Sequence, residues 1–157
     1  MSKAFTKEDD SVEEQVPEDL ALPPGVKNYL TPTGAARLRQ QLDDARQALA
    51  VADAAHKPGC ERRLAALTRR FETAEVVDPD TQPRGEVRFG AVVTVEDGAG
   101  RRRDFHLVGI DEADPPAGLV SWRSPVARAL LGAAVGDEVT VQTPHGPDEL
   151  TIVAIRY

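Results

Sequence analysis

The residues able to do chemistry are few and scattered. The three histidines, His56, His106 and His145, and the single cysteine, Cys60, stand in unrelated contexts, and none has metal-ligand spacing to another. No zinc-like site is expected. Cys60 falls on an apolar helical seam, where a small packed side chain is a simpler reading than a reactive thiol. The carboxylates Asp53 and Glu61 bracket the tetrapeptide His56-Lys57-Pro58-Gly59. They are the only catalytic candidates, and they are weak ones, because a hard divalent cation needs a larger set of clustered oxygens. Gly98-Ala99-Gly100 matches neither a phosphate-binding loop nor a dinucleotide fingerprint and reads as a hairpin tip. Arg62, Arg63, Arg69 and Arg70 are expected on the outer faces of a helix, where they either keep it soluble or approach RNA or a protein partner. Arg101-Arg102-Arg103 directly follows a turn and reads as a charged strand edge. Trp122 lies between Ser121 and Ser124-Pro125 at a strand-to-helix junction; a core aromatic is the default there, and an interface anchor the alternative.

Charge constrains the partners. The net −7 of the 157 residues divides into 7 acids and 3 bases over residues 1–28, 6 and 8 over residues 29–77, and 13 and 8 over residues 78–157, or −4, +2 and −5. Only the middle is basic. Counterion release from a nucleic-acid backbone needs a concentrated positive face, so an acidic chain of pI ≈ 5.0 points to a protein partner, with nucleic acid reached only indirectly. One cysteine forms no internal disulfide, and neither an export signal nor an apolar run long enough to span a bilayer is visible; a cytoplasmic chain is expected.

Several elements must position these residues. Residues 1–28, rich in acids and carrying Pro17, Pro23 and Pro24, are expected to form a disordered acidic leader. Thr31-Pro32 then provides a helix cap and a proline at the first helical position. From there Ala35, Leu38, Leu42, Ala45, Leu49 and Ala52 recur at alternating spacings of 3 and 4, and Cys60, Leu64, Leu67, Phe71 and Ala74 repeat the pattern after the Pro-Gly break. The spacing predicts an antiparallel coiled-coil hairpin over residues 29–77. Its first helix runs from about Thr33 to Ala55, and its second stops near Val77, before Asp78-Pro79. From Glu86 the pattern turns to β: Val87–Phe89, Ala91–Glu96, Asp104–Val108, Leu119–Trp122, Glu138–Thr143 and Leu150–Arg156 are expected strands, largely antiparallel. One short helix starts at Ser124-Pro125 and stops at Gly132. The fold class is α+β, a helical hairpin followed by an antiparallel sheet with one short helix over residues 78–157.

Taken together, Val87-Arg88-Phe89-Gly90-Ala91-Val92-Val93-Thr94-Val95, Leu107-Val108-Gly109-Ile110-Asp111-Glu112-Ala113-Asp114, the run from Ser121 to Gly132 and Val135-Gly136-Asp137-Glu138-Val139 resemble the C-terminal domain of the GreA/GreB transcription elongation factors. The leader and Pro23–Gly34 look more GreB-like than GreA-like. The resemblance implies an FKBP-like domain that docks at the rim of the secondary channel of RNA polymerase, with Asp111, Glu112, Ser121, Trp122, Ser124 and Pro125 on or beside the docking surface. It also implies an arm whose tip carries an acidic motif of the form Gly-Asp-(Leu/Arg)-Ser-Glu-Asn-Ala-(Glu/Asp)-Tyr. This chain has Ala52-Asp53-Ala54-Ala55-His56-Lys57-Pro58-Gly59-Cys60-Glu61 there. A first helix of roughly 23 residues spans only ~35 Å, shorter than family arms by several turns, as in the Gre relative Rnk. The resemblance therefore implies a polymerase-binding regulator without enzymatic activity and with no cofactor of its own, and an apolar seam satisfied within one hairpin points to a monomer. One alternative is a factor that still stimulates the polymerase's own RNA cleavage, where Asp53, Glu61 and the polymerase's Mg²⁺ would act. The weaker one is an FKBP-like prolyl isomerase, for which the domain's aromatics, Phe89, Phe105, Trp122 and Tyr157, are a sparse pocket.

Overall fold

The computed structural model describes residue 22 and residues 24–157, so the expectation of a disordered leader lies almost wholly outside the described residues. The described chain opens with a short strand, β1 (Asn28–Leu30), and two helices, α1 (Pro32–Val51) and α2 (Lys57–Glu72). A second short strand, β2 (Ala74–Val76), returns to pair in parallel with β1, Asn28 opposite Ala74 and Leu30 opposite Val76. This small sheet was not foreseen. It ends α2 at Glu72, so the expected helix stop near Val77 is corrected by five residues.

The helix start follows its chemistry. The Thr31 hydroxyl accepts from the Gly34 amide at 3.1 Å, and Pro32 occupies the first helical position, where no donor is lost. Ala35, Leu38, Leu42 and Ala45 of α1 are buried with Leu67 of α2 and Leu30 of β1, and Leu64 packs against them. Toward the far end the seam loosens. Leu49, Ala52 and Cys60 are only half-buried, Val51 is exposed, and Phe71 is turned out under the Arg39 guanidinium, 5.8 Å from the ring centre, rather than filling the seam. The predicted break at His56-Lys57-Pro58-Gly59 is also displaced. Lys57, Pro58 and Gly59 form the first turn of α2, and the reversal is made by residues 52–56. At 20 residues, α1 is about 30 Å long.

The remaining chain forms one five-stranded sheet in the order β5-β4-β3-β7-β6, with β3 (Val92–Asp97), β4 (Arg102–Val108), β5 (Leu119–Ser121), β6 (Glu138–Thr143) and β7 (Gly146–Arg156). Asp97 closes the β3–β4 hairpin by accepting the amides of Ala99 and Arg101 at 2.9 and 3.0 Å. The pairing is largely antiparallel, as expected, but the sheet is mixed: β4 and β5 run parallel, joined through single turns at Ile110–Glu112 and Pro115–Ala117. Val87–Phe89 is not a strand; Val87 instead exchanges backbone hydrogen bonds with Gly132 and Ala133, tying this segment to the end of α3 (Pro125–Leu130). One face of the sheet buries Val93, Val95, Leu107, Val120, Val141, Leu150 and Ile152 against Ala127 and Leu130 of α3. No described helix is long and apolar enough to cross a membrane.

Candidate functional site: the joint, the rim and the tip

Three places carry the residues that the sequence singles out. The first is the joint between the helices and the sheet. Glu112, expected on a docking surface, is buried there at 7 % exposure. Its carboxylate accepts the amides of Gly109 (2.9 Å) and Thr31 (3.0 Å) and the Thr31 hydroxyl. The correction has a physical reason: one carboxylate satisfies donors at the entry to α1 and in the turn after β4, so it must sit between them. Gly34 and Gly109 leave room for it. A methyl on Gly34 would overlap the Glu112 carboxyl group, and one on Gly109 would run into the Tyr29 carbonyl oxygen.

Beside Glu112, Arg70 turns inward instead of outward. Only 5 % of its side chain is exposed, and it forms an ion pair with Asp111. Asn28 donates through Nδ2 to the Arg70 carbonyl at 2.9 Å. Burial holds the Asp111 carboxyl above its ordinary value; the Arg70 charge opposes this and Glu112 adds to it. Arg62, Arg63 and Arg69 are exposed, as expected. Arg62 and Arg69 form no ion pair with any described residue.

The second place is the rim, where β5 leads into α3. Trp122 is half-buried rather than a core residue. Its amide donates to Val108 at 3.0 Å, and its ring meets Tyr29 edge-on at 5.3 Å. Tyr29 in turn lies 5.7 Å from Phe89, so three aromatics link the rim to β1. The Ser124 hydroxyl caps α3 by accepting the Ala127 amide (3.2 Å), and the Ser121 hydroxyl accepts the Arg123 amide (3.2 Å). Both hydroxyls are thus used locally, and Pro125 is the exposed member of the group. Asp111, Ser121, Trp122, Ser124 and Pro125 lie along neighbouring segments, whereas Glu112 points into the joint.

The third place is the tip. The Asp53 carboxylate caps the reversal, accepting the His56 amide at 2.9 Å and lying 2.6 Å from His56 Nδ1. The His56 backbone hydrogen bond, then its side-chain hydrogen bond, hold the Asp53 carboxyl below its ordinary 3.8. Replacing His56 with Ala should raise the Asp53 value only partway toward 3.8, because the larger, backbone contribution survives; carboxyl-carbon NMR titration reads this directly. Among the described residues no group of three or more His, Cys, Asp or Glu could hold a metal ion, and Asp53 and Glu61 gain no third oxygen donor from one.

A family profile described as the C-terminal domain of transcription elongation factor GreA/GreB matches residues 82–157. Residues 82–157 are thus similar to the GreA/GreB C-terminal domain. The match covers β3 to β7, α3 and the rim. Among curated GreA/GreB relatives, a transcription elongation factor GreB of Yersinia pestis is 50% identical over 97 residues, which are 62% of this chain and 57% of that protein. A GreB of Neisseria meningitidis is 44% identical over 98 residues, 62% of this chain and 60% of that protein. The chain thus spans less than two thirds of the length of these relatives. A solved GreA factor homolog 1 from Thermus thermophilus is 29% identical, with 84% of this chain and 100% of that one covered and a TM-score of 0.43.

Proposed function

We propose that this chain is a transcription elongation regulator that binds RNA polymerase at its secondary channel and does not itself promote RNA cleavage. Residues 78–157 are the docking domain, of FKBP-like form, and residues 29–77 a short coiled-coil arm that enters the channel only partway. Residues 1–28 form the leader. The observation that supports this reading is a match to the GreA/GreB C-terminal domain, joined to a tip whose only carboxylates are Asp53 and Glu61. Asp53 is already committed to capping the reversal. Phosphodiester hydrolysis at a second metal ion needs several oxygens placed together, and this tip offers no such set among the described residues. Any nucleic acid is met only inside the elongation complex. The protein acts in the cytoplasm as a monomer and carries no cofactor of its own.

The test uses a backtracked elongation complex with labelled RNA, first with this protein alone and then with a cleavage-competent GreB added. No cleavage alone, together with suppression of GreB-driven cleavage, is the expected result. Stimulation by this protein alone would refute the binding-only reading and direct attention to Asp53 and Glu61. Failure to suppress would refute docking. Within the same assay Pro125→Glu should weaken suppression about tenfold, or ~1.4 kcal/mol. A glutamate suits the first turn of a helix and leaves the exposed position folded, so the loss would report the rim itself.

A further inference from the structure

The outer face of α2 carries arginines whose charge the described residues do not answer. Arg62 and Arg69, seven residues apart, lie on one side of the helix about 10 Å from each other along its axis. The exposed Ala65 lies between them. Glu61 and Glu72 flank this face, about 100° from Arg62 and about 60° from Arg69 around a helix of 3.6 residues per turn. Both arginines are exposed and form no ion pair with any described residue.

We propose that the acidic leader of this same chain binds this face. Residues 1–21 contain seven acids, Glu8, Asp9, Asp10, Glu13, Glu14, Glu18 and Asp19, and two bases, Lys3 and Lys7, for a net charge of −5. The described chain places the root of the leader beside its target. Asn28 is hydrogen-bonded to the Arg70 carbonyl in the last turn of α2, and Lys27 pairs with Glu75 just beyond the helix end. Reach is sufficient: the eight residue-to-residue steps from Leu22 back to Glu14 can span up to about 26 Å at 3.3 Å per residue, against about 24 Å for the whole of α2 at 1.5 Å per residue. The three acidic groups, residues 8–10, 13–14 and 18–19, recur about every five residues, up to about 16 Å of chain, which is enough for neighbouring groups to span the roughly 10 Å between Arg69 and Arg62. Tethering raises the local concentration of the segment into the millimolar range, so it outcompetes free anions of similar affinity. The consequence is regulatory: the leader screens the arm's basic face until a more highly charged or better-fitting partner displaces it. This inference does not depend on the polymerase reading.

The native Cys60 gives the test its probe, since it lies on α2 one turn from Arg63 and Leu64 and is the only cysteine. With a nitroxide on Cys60 of the full chain, the amides of residues 8–14 should show paramagnetic broadening in dilute buffer. That broadening should fall at least threefold in about 0.5 M salt, where screening acts within a few ångströms. Arg62→Gln with Arg69→Gln should remove it at both ionic strengths, with the helix amides unchanged. Leader amides that are equally sharp at low and high salt, or broadening indifferent to the double substitution, would overturn the proposal. A mixture of isotope-labelled unmodified chains with spin-labelled unlabelled ones separates the alternatives: broadening confined to the singly prepared sample supports docking within one chain, whereas equal broadening in the mixture means the leader binds a second copy and overturns it.

Discussion

Glu112→Ala should cost about 3–5 kcal/mol of folding stability and move the urea midpoint down by about 2 M, at a slope of about 2 kcal/mol per molar. The carboxylate is the acceptor for three donors, the Thr31 amide, the Thr31 hydroxyl and the Gly109 amide, and all of these contacts are buried. Charge-assisted hydrogen bonds contribute about 1.5–3 kcal/mol each, and a buried donor left without an acceptor costs about 1–3 kcal/mol. Simple addition would exceed the range, but water entering the space left by the side chain recovers part of the loss. Glu112→Gln should fall between, at about 2 kcal/mol, because it keeps one oxygen and turns an amide donor toward groups that are themselves donors. The glycine at position 34 supplies an internal check. Gly34→Ala alone forces a methyl against the Glu112 carboxyl and should cost about 2 kcal/mol. In the Glu112→Ala background the obstruction is gone and alanine is the better helix former by about 1 kcal/mol, so the same substitution should become neutral or stabilising. Additive costs in that cycle would show that the two side chains do not compete for one space.

The parts of this fold that depend on local rules were legible in the sequence. Thr31-Pro32 and Ser124-Pro125 start helices as their chemistry requires, and the seam residues Ala35, Leu38, Leu42 and Ala45 are buried as their spacing demands. Five of the expected strands contain or overlap β3 to β7. What was hidden depends on partners far along the chain. Glu112 and Thr31 are separated by 81 positions and Arg70 and Asp111 by 41, so no short-range pattern marks either pair as internal. Arg62, Arg63, Arg69 and Arg70 read as equivalent exposed cations, yet Arg70 alone faces the turn after β4. The parallel pairing of β1 with β2 was invisible for a similar reason. Each strand is three residues long, too short for an alternating signal, and Val76 precedes a proline region that reads as a helix stop. In the candidate site, the residues of the tip and the rim could be named from the sequence, but not what they touch. The roles of Ser121, Ser124 and Asp53 as local caps emerge only from geometry.

Arg70→Met should cost about 3 kcal/mol, because it leaves the Asp111 carboxylate partly buried without its cation. The pair itself is not optimally satisfied. Arg70 Nε and Nη1 are buried without acceptors, and so is the Asn28 Oδ1 beside them. An apolar replacement of both partners should therefore recover most of the loss, and Arg70→Met with Asp111→Leu should lie within about 1 kcal/mol of the unaltered chain. The pH dependence gives a second readout. Burial already raises the Asp111 value above 3.8, so its ionised form is disfavoured in the folded state. That penalty is absent below the unfolded value and fully present above the raised folded one, so stability falls as pH rises through this window. Removing Arg70 takes away the main influence that opposes the shift, which moves the folded value further upward and steepens the fall. Arg70→Met should accordingly regain stability between pH 7 and about pH 5, relative to the unaltered chain, while the double variant should show no such gain. Urea unfolding of the three proteins at both pH values decides it. A cost that is the same at each pH would mean that Arg70 holds the helices to the sheet by packing its stem alone, with no contribution from its charge.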